Sequence, residues 1–354
     1  MTDRRAHVVG LGLIGASVSL ALRDAGWMVS GNDIEPEVEV SAVREGVIEQ
    51  VGPHASTRFV VVATPAGVVA QVLRSLFVTL SDRNVIFTDV AGVKRDIVES
   101  IDDPRFLGGH PMAGSELRGL RGARADLFSG CTWILTPTEA TSADLYTRLH
   151  GILRELEASV VAVSAIDHDR LVALASHVPH VLAGTLMNQA AEAAQEDAVL
   201  LQLAAGGFRD MTRIAAGDPT IWPDILIQNR EAISEGLLAI EHRLASTRAA
   251  LAAGDRGRIE ASLQTASVAR RLLPGRALAS DQMTYLRVPM PDRPGVLATI
   301  TMIASELLVN IYDIEIAHGI EGERGTLLLT VDLAQADVFQ EALVRASFVV
   351  GREQ

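Results

Sequence analysis

The feature that most constrains the fold is a glycine-rich segment near the N-terminus, Gly-Leu-Gly-Leu-Ile-Gly at positions 10–15. It follows a short apolar run at 7–9 and precedes a helical pattern at 16–25. Glycines at this spacing allow a tight turn from strand to helix and let a pyrophosphate approach the helix N-terminus. Asp33 lies 18 residues after Gly15, where a carboxylate can bind ribose hydroxyls. The segment therefore predicts a dinucleotide site.

The first 166 residues alternate short apolar strands with helical stretches, which predicts a Rossmann-type, doubly wound parallel sheet in an α/β domain. Strands are expected at 7–9, 28–32, 59–63, 84–88, 106–108, 132–136 and 159–163, with helices at 16–25 and 67–76. Because Asp33 would repel a 2′-phosphate and Ile34 offers no arginine, NAD is favoured over NADP. The predicted cofactor-binding residues are Gly10, Gly12, Leu13, Ile14, Gly15, Asp33, Thr64, Pro65 and Asp89.

Two further domains are expected after residue 166. Helical periodicity at 182–195, 221–253 and 257–273 predicts an all-helical domain over 167–275, whose long apolar faces suggest a homodimer. A linker is expected at 272–282 because it contains Pro274 and Gly275. The order βαββαβ over 283–354 is the ferredoxin-like plan, with strands at 285–290, 310–317, 325–332 and 348–350 and helices at 294–306 and 335–346.

Composition excludes some classes of partner. A formal charge of −13 leaves no general basic field, so nucleic acid is not expected to bind. A single cysteine, Cys131, cannot form an intrachain disulfide and fits a reducing compartment, so a cytoplasmic protein is expected. Glycines interrupt the apolar N-terminal run and no apolar span of about 20 residues follows, so no membrane association is expected.

Titratable residues cluster in two segments. His110 lies in Gly-Gly-His-Pro-Met-Ala-Gly-Ser-Glu at 108–116, where an imidazole can accept a proton at neutral pH, although a surface histidine is the alternative. Arg209 and Arg213 are four residues apart and share a face if the segment is helical. Ser-His-Val-Pro-His at 176–180 is expected to begin a helix.

With these motifs the chain resembles the prephenate dehydrogenases, NAD-dependent enzymes of tyrosine biosynthesis. The resemblance rests on the glycine-rich segment, Thr-Asp-Val-Ala-Gly-Val-Lys at 88–94, the segments 108–116 and 176–180, and Gly-Gly-Phe-Arg-Asp-Met-Thr-Arg-Ile-Ala-Ala-Gly-Asp-Pro-Thr-Ile-Trp at 206–222. It spans about residues 6–245. It implies oxidative decarboxylation of prephenate to 4-hydroxyphenylpyruvate, in which a hydride leaves ring carbon 4 and the 4-hydroxyl loses its proton.

The resemblance also implies roles for individual residues. His110 would accept the proton of the 4-hydroxyl and Arg213 would bind a carboxylate through a bidentate fork. The other implied substrate-binding residues are Ser115, Glu116, His177, His180, Arg209 and Trp222. A solvated charge is the alternative for Glu116 and Arg209, and core packing for Trp222. The two histidines at 177 and 180 have no third ligand nearby in sequence, so no metal is expected.

Gly92 departs from the pattern, because better-known members commonly have a serine there whose hydroxyl contacts the substrate and the histidine. Its absence leaves arogenate and 4-amino-4-deoxyprephenate open as substrates, and a non-catalytic NAD and amino-acid sensor as a second hypothesis. Lys94 lies either near the cofactor cleft or on the surface. A different β-hydroxyacid dehydrogenase is disfavoured, because Gly206-Gly207 is followed by Phe208-Arg209 and not by a catalytic lysine.

The C-terminal segment Pro-Asp-Arg-Pro-Gly at 291–295 resembles the opening of an ACT domain, a regulatory amino-acid-binding module. This resemblance implies an allosteric effector site, with tyrosine as the effector, that includes Asp292, Gly295 and Asn310. A module that serves only dimerisation is the alternative.

Overall fold

A computed structural model describes residues 4–114, 117, 119–196, 199–201, 203–271, 283–291, 295–318 and 324–353. The chain divides into two compact units. The first unit contains residues 1–169, 216–228 and 284–354, and the second contains 170–215 and 229–283.

The first unit is built on a five-stranded parallel sheet with the order β3-β2-β1-β4-β5. Its strands are β1 (Arg5–Val9), β2 (Met28–Asn32), β3 (Gln50–Val51), β4 (Phe59–Val62) and β5 (Ile86–Asp89). All four residues of β4 and of β5 are buried, because helices cover both faces of the sheet. The predicted doubly wound sheet is confirmed in this part of the chain, and the two-residue strand β3 is an addition to it.

The helices that follow these strands start close to the strand ends. They are α1 (Leu13–Asp24), α2 (Pro36–Arg44), α3 (Ala66–Thr79) and α4 (Arg95–Glu99), and a further helix, α5 (Ala143–Glu155), lies later in the unit. Helix α1 begins three residues before the predicted start at position 16, so its first turn lies directly after Gly12. Ser142 caps α5 by accepting a hydrogen bond from the N–H of Leu145 at 3.2 Å.

A second sheet corrects the expectation that all strands of this domain are parallel. Strands β6 (Gly108–Pro111), β7 (Thr132–Thr136) and β8 (Ser159–Ala162) form it in sequence order. β6 runs antiparallel to β7, and β7 runs parallel to β8. The segment between β6 and β7 has two 3₁₀ turns among its described residues, Leu120–Gly122 and Ala125–Phe128, whereas the parallel pair is joined through α5. β6 also begins two residues later than predicted and therefore includes His110.

The helical segment contains α6 (Ala165–Val172), α7 (Val178–Glu196), α8 (Gly206–Thr212), α9 (Trp222–Gln228), α10 (Arg230–Ala253) and α11 (Arg256–Arg271). A π-helical turn, Ala173–His177, joins α6 to α7. Helix α7 thus begins at Val178, within the predicted start at 176–180, and the π-helical turn makes it continuous with α6. The predicted helix 221–253 is divided at Asn229, and its first part, α9, belongs to the first unit.

The continuous helix Ala165–Gln195 meets the length and hydropathy expected of a membrane span. The helix meets this criterion by length and composition only, and 28% of its apolar window is buried. The same criterion is met by core helices of soluble proteins, so it is weak support for a membrane location.

The C-terminal part has the order β9 (Met283–Pro291), α12 (Val296–Glu306), β10 (Ile311–His318), β11 (Arg324–Asp332), α13 (Ala336–Arg345) and β12 (Gly351–Glu353). Its sheet order, β10-β11-β9-β12, is that of the predicted βαββαβ plan. The last strand begins three residues later than predicted, and the predicted linker 272–282 lies outside the described residues. β10 contacts β8, and Asp313 Oδ1 lies 2.9 Å from His150 Nε2 on α5.

Candidate active site

The glycine-rich turn between β1 and α1 has no room for side chains at two of its positions. Gly10 has φ +89°, and a β-carbon there would lie 2.5 Å from the carbonyl oxygen of Ala63. A β-carbon at Gly15 would lie 1.8 Å from the carbonyl oxygen of Gly10. Ala63, which follows β4, therefore excludes a side chain at position 10, and the turn's own backbone excludes one at position 15.

The N-terminus of α1 is open to an anion. Gly12 precedes the helix, and among the residues the structure describes no side chain caps it and none lies within 4 Å of the position a β-carbon would take there. Leu13 and Ile14 form the first turn and are half-buried. Backbone N–H groups and the helix dipole at such a terminus attract phosphate groups.

Asp33 is held at the end of β2 by the neighbouring backbone. Its Oδ2 accepts the N–H of Leu11 at 2.7 Å, and its Oδ1 accepts the N–H of Glu35 at 3.1 Å. Glu39 accepts the N–H of Asp33 and the Nδ2 of Asn32 at 3.0 and 2.9 Å. These bonds fix the carboxylate beside the glycine-rich turn, and Glu39 is a contributor that sequence reasoning missed.

Thr64 and Pro65 lie where β4 ends, on the side of the sheet that carries the glycine-rich turn. The Oγ1 of Thr64 is buried and has no hydrogen-bond partner within the described chain. Pro65 directly precedes α3. An unpartnered buried hydroxyl beside an open helix N-terminus fits a bound polar ligand, since burying such a group without a partner is costly.

Asp89 and Lys94 both lie in the interior of the first unit. Both side chains have zero exposure and form an ion pair. Asp89 also accepts the N–H groups of Ala91 and Gly109, at 3.0 and 3.2 Å. Through these bonds the buried carboxylate of Asp89 connects β5 to β6, and its contact with the cofactor stays a prediction. Lys94 is likewise not a surface residue, and burial lowers its pKa although Asp89 opposes the shift.

His110 is joined to a buried histidine and a carboxylate. Its Nδ1 lies 2.9 Å from Nε2 of His168, and Nδ1 of His168 lies 2.7 Å from Oδ1 of Asp169. Asp169 also accepts the N–H groups of Lys94 and Arg95 at 2.8 and 2.9 Å. The carboxylate therefore anchors the first turn of α4 and the ring of His168 together.

The protonation states of His168 and Asp169 follow from their surroundings. Burial lowers the pKa of His168, with Lys94 acting in the same direction and Asp169 opposing. Burial raises the pKa of Asp169, but hydrogen bonds from His168 and from the N–H of Arg95 outweigh it, so its net pKa is lowered. These directions favour an ionised Asp169 that accepts and a neutral His168 ring, for which the hydrogen bond to Asp169 assigns the proton to Nδ1.

Gly92 faces His110. A β-carbon at this position would lie 3.8 Å from Nε2 and 3.9 Å from Cε1 of that ring, and 3.9 Å from Cδ1 of Ile225 on α9. Trp222, half-buried, begins the same helix. Position 92 therefore lies in van der Waals contact with the imidazole and could carry a larger side chain.

The remaining predicted substrate residues lie in the second unit or outside the described residues. His177 is buried, and its Nδ1 lies 3.1 Å from Nδ2 of Asn229. His180 is half-buried, and burial lowers its pKa. Arg209 is exposed on α8, and Arg213 is exposed in the 3₁₀ turn Arg213–Ala216 that directly follows. Ser115 and Glu116 lie outside the described residues.

The predicted effector residues lie around α12. Gly295 has φ +90° and precedes the helix, and a β-carbon there would lie 3.8 Å from the carbonyl oxygen of Glu139. Asn310 is exposed just before β10, and Asp292 lies outside the described residues. Within the described ranges, no group of three His, Cys, Asp or Glu side chains could hold a metal ion.

Sequence reasoning missed His168, Asp169 and Asn229. His168 and Asp169 stand next to each other in Ile-Asp-His-Asp-Arg at 166–170, which has the composition of an exposed helix start. The one local indication of a role was that His168 stands between Asp167 and Asp169, and it is one of only nine histidines in the sequence. Their partner His110 is 58 residues away, so no local spacing links them.

Comparison with known proteins places these features in a family. Residues 18–162 match the nucleotide-binding domain of prephenate dehydrogenase, and residues 164–265 match its dimerization domain. Prephenate dehydrogenase of Bacillus subtilis (strain 168) is 32% identical over 336 residues, which cover 91% of each chain.

Two solved structures are also similar. Prephenate dehydrogenase from Aquifex aeolicus, crystallised with hydroxyphenyl propionate and NAD+, has a TM-score of 0.72 and 27% identity, covering 77% of this chain and 98% of that one. Synechocystis arogenate dehydrogenase has a TM-score of 0.65 and 29% identity, covering 75% and 99%.

Proposed function

The chain belongs to the prephenate dehydrogenase family, and from that premise we propose that it catalyses the NAD-dependent oxidative decarboxylation of prephenate to 4-hydroxyphenylpyruvate in tyrosine biosynthesis. The observation that carries the proposal is the position of His110. It lies on β6, in the same unit as the glycine-rich turn, with its Nδ1 engaged by a buried His168.

NAD is the cofactor of this enzyme, and when bound it supplies the acceptor for the hydride from ring carbon 4. The open N-terminus of α1 fits its pyrophosphate, and Gly10 and Gly15 keep side chains out of the turn. The carboxylate of Asp33 would accept hydrogen bonds from the ribose hydroxyls and would repel a 2′-phosphate. Thr64 Oγ1, which is buried without a partner in the described structure, is the nearby hydroxyl available to the ligand.

His110 acts as the general base. It takes the proton of the 4-hydroxyl as the hydride leaves, so the ring must be neutral beforehand. Loss of carbon dioxide then makes the ring aromatic as a phenolate, and the proton returns from His110 to that oxygen to give the 4-hydroxyl of the product. Proton acceptance by a positioned side chain contributes about 10²- to 10⁴-fold to such a rate.

Arg213 binds a carboxylate of the substrate, because a guanidinium can form two parallel hydrogen bonds to it. Prephenate carries two carboxylates, which an acidic protein with a net charge of −13 attracts only through such local cations. His177, His180, Arg209, Trp222, Ser115 and Glu116 complete the proposed substrate site.

A second candidate substrate is favoured by Gly92. Without a hydroxyl at this position, one hydrogen bond to a 4-hydroxyl is missing, which weakens orientation by about 1 kcal/mol. Arogenate or 4-amino-4-deoxyprephenate therefore remains the alternative. The similarity to the arogenate dehydrogenase of Synechocystis supports keeping arogenate in the test.

The C-terminal sheet is proposed to be an ACT domain that binds tyrosine near Asp292, Gly295 and Asn310. Its βαββαβ order and the left-handed Gly295 before α12 support this assignment. The match of 164–265 to a dimerization domain supports a homodimer, and the apolar, largely unburied helix Ala165–Gln195 fits that role. We place the protein in the cytoplasm and propose domains at 1–166, 167–275 and 283–354.

The test is an absorbance assay of the reduced cofactor with purified protein and NAD. Prephenate, arogenate and 4-amino-4-deoxyprephenate are added separately, with and without tyrosine. Turnover of prephenate above the other two supports the proposal, and turnover of arogenate or 4-amino-4-deoxyprephenate assigns the alternative substrate. Cofactor binding without turnover of any of the three would refute the enzyme assignment and favour a sensor.

A further inference from the structure

Two hydrogen bonds connect His110 to His168 and His168 to Asp169, all within the first unit, and the side chains of His168 and Asp169 are buried. His168 has zero exposure and Asp169 is 6% exposed. The heavy-atom separations are 2.9 Å between the rings and 2.7 Å from ring to carboxylate. Both lie within the normal range for strong hydrogen bonds.

The carboxylate fixes the direction of these bonds. Asp169 accepts the N–H groups of Lys94 and Arg95 as well as the ring of His168, so it is held as an acceptor from three sides. An ionised carboxylate can only accept, and Nδ1 of His168 must therefore carry the proton between them. In a neutral ring this leaves Nε2 of His168 as the acceptor, so Nδ1 of His110 must donate.

We propose that His168, oriented by Asp169, is a positioning residue that fixes His110 in the tautomer with its proton on Nδ1 and its lone pair on Nε2. The Nε2 atom is the one that faces position 92. The inference rests on the proposed function, because it deepens the role of His110 as the proton acceptor.

The chemical consequence concerns the proton from the substrate hydroxyl. When the O–H bond breaks, a new N–H bond forms at Nε2 of His110 and the ring gains one positive charge. Its Nδ1–H continues to donate to His168, whose other nitrogen donates to the negative charge of Asp169. The charge on the imidazolium is thus balanced through two hydrogen bonds, without a direct contact to the carboxylate.

The other charged groups near His168 define the electrostatic setting. Lys94 opposes a positive charge on that ring, whereas Asp89 and Asp169 favour one. Lys94 and Asp89 are paired with each other, so Asp169 is the carboxylate bonded directly to the ring. His168 is therefore suited to staying neutral while His110 changes charge.

The test compares two substitutions at His168 with a matched control. His168→Leu removes both hydrogen bonds, whereas His168→Gln keeps an oxygen acceptor for Nδ1–H of His110 and an N–H donor for Asp169. His7→Leu is the control, because His7 is an equally buried histidine on β1 whose Nδ1 bonds to Ser30. Thermal unfolding of all three variants checks that each one is folded.

If His168 positions His110, substitutions at position 168 should change kcat and leave KM for NAD unchanged. His168→Leu is expected to lower kcat by about 10-fold or more, with KM for NAD unchanged, because an unoriented base populates the wrong tautomer. His168→Gln is expected to recover most of this loss, and His7→Leu to keep the wild-type kcat. Equal kcat values in wild type and His168→Leu would overturn the proposal, as would a Gln variant as slow as the Leu variant.

A second readout does not depend on turnover. Nitrogen-15 spectra of the histidine rings, with His110 assigned by the signal lost in His110→Asn, report which nitrogen carries the proton. The proposal requires Nδ1–H in wild type and in His168→Gln, and a mixture of tautomers in His168→Leu. An Nε2–H tautomer in the wild type would refute it. Because these spectra need no substrate, they judge the inference even if no candidate substrate is turned over.

Discussion

A β-carbon on Gly92 would lie 3.8 Å from Nε2 of His110, which is an ordinary van der Waals separation. Gly92→Ser should therefore fold normally and place a hydroxyl beside the catalytic nitrogen. If the substrate presents a 4-hydroxyl, the added hydrogen bond should raise kcat/KM about 5-fold, the equivalent of about 1 kcal/mol. Steady-state kinetics with prephenate measure this change.

Gly92→Ala is the control for that substitution, because it adds the carbon without the hydroxyl. The alanine variant should lack the gain shown by the serine variant. Equal kcat/KM values for the two variants would show that a hydroxyl at position 92 does not reach the reacting group.

His110→Asn should lower kcat by about 10²-fold or more, because asparagine cannot accept a proton at neutral pH. The dissociation constant for NAD, measured by fluorescence quenching or calorimetry, should stay close to that of the wild type. Near-normal turnover in this variant would remove His110 from its proposed role.

Arg213→Ala should mainly raise KM for the substrate. The guanidinium contacts the substrate carboxylate in both the ground state and the transition state, so its loss weakens both equally. Arg209→Ala is the matched control, because both arginines are exposed and lie four residues apart. The KM increase at position 213 should exceed that at position 209. The reverse order would assign the carboxylate to Arg209.

Asp33→Ser should weaken NAD binding and reduce the preference for NAD over NADP, because it removes the carboxylate that accepts the ribose hydroxyls. The substitution also removes a 2.7 Å hydrogen bond from the N–H of Leu11, so the variant needs a check of its thermal stability. Asp24→Ser, at the exposed end of α1, removes the same charge elsewhere and should leave NAD affinity unchanged. Unchanged affinity in both variants would argue against the ribose contact.

Acid should destabilise the first unit through His7. Burial lowers the pKa of His7 from 6.5 to about 4, so the unfolded chain binds a proton more readily than the folded one. Stability is therefore lost as the pH falls from 6.5 towards 4, by up to about 3 kcal/mol for this group. Urea unfolding of wild type and His7→Leu at pH 7 and pH 4.5 tests this, and the leucine variant should lose less stability on acidification. Equal losses would show that His7 does not account for the acid sensitivity.

Features of the site that depend on residues close together in sequence could be predicted from the sequence. The glycine-rich turn, Asp33 and the alternation of strands and helices in the first domain all depend on spacings of a few residues. His168 and Asp169 could not be found this way, because their roles come from contacts 58 and 75 residues away in sequence. Lys94 illustrates a second limit, since a lysine is expected on the surface unless its partner, here Asp89, is known.

The direction of β6 is another property that spacing did not reveal. Its four residues, Gly-Gly-His-Pro, indicate no orientation, and the connection to β7 determines the result. The π-helical turn before Val178 likewise leaves no mark in a pattern of apolar residues.

The contact between β8 and β10 has a consequence for solubility. β8 is the last strand of its sheet and β10 is the first of the C-terminal sheet, so two edge strands of different sheets lie in contact. A chain cut before residue 283 would leave the edge of β8 open to pairing with other molecules. We therefore expect the C-terminal sheet to limit aggregation of the nucleotide-binding half, whether or not a ligand binds to that sheet.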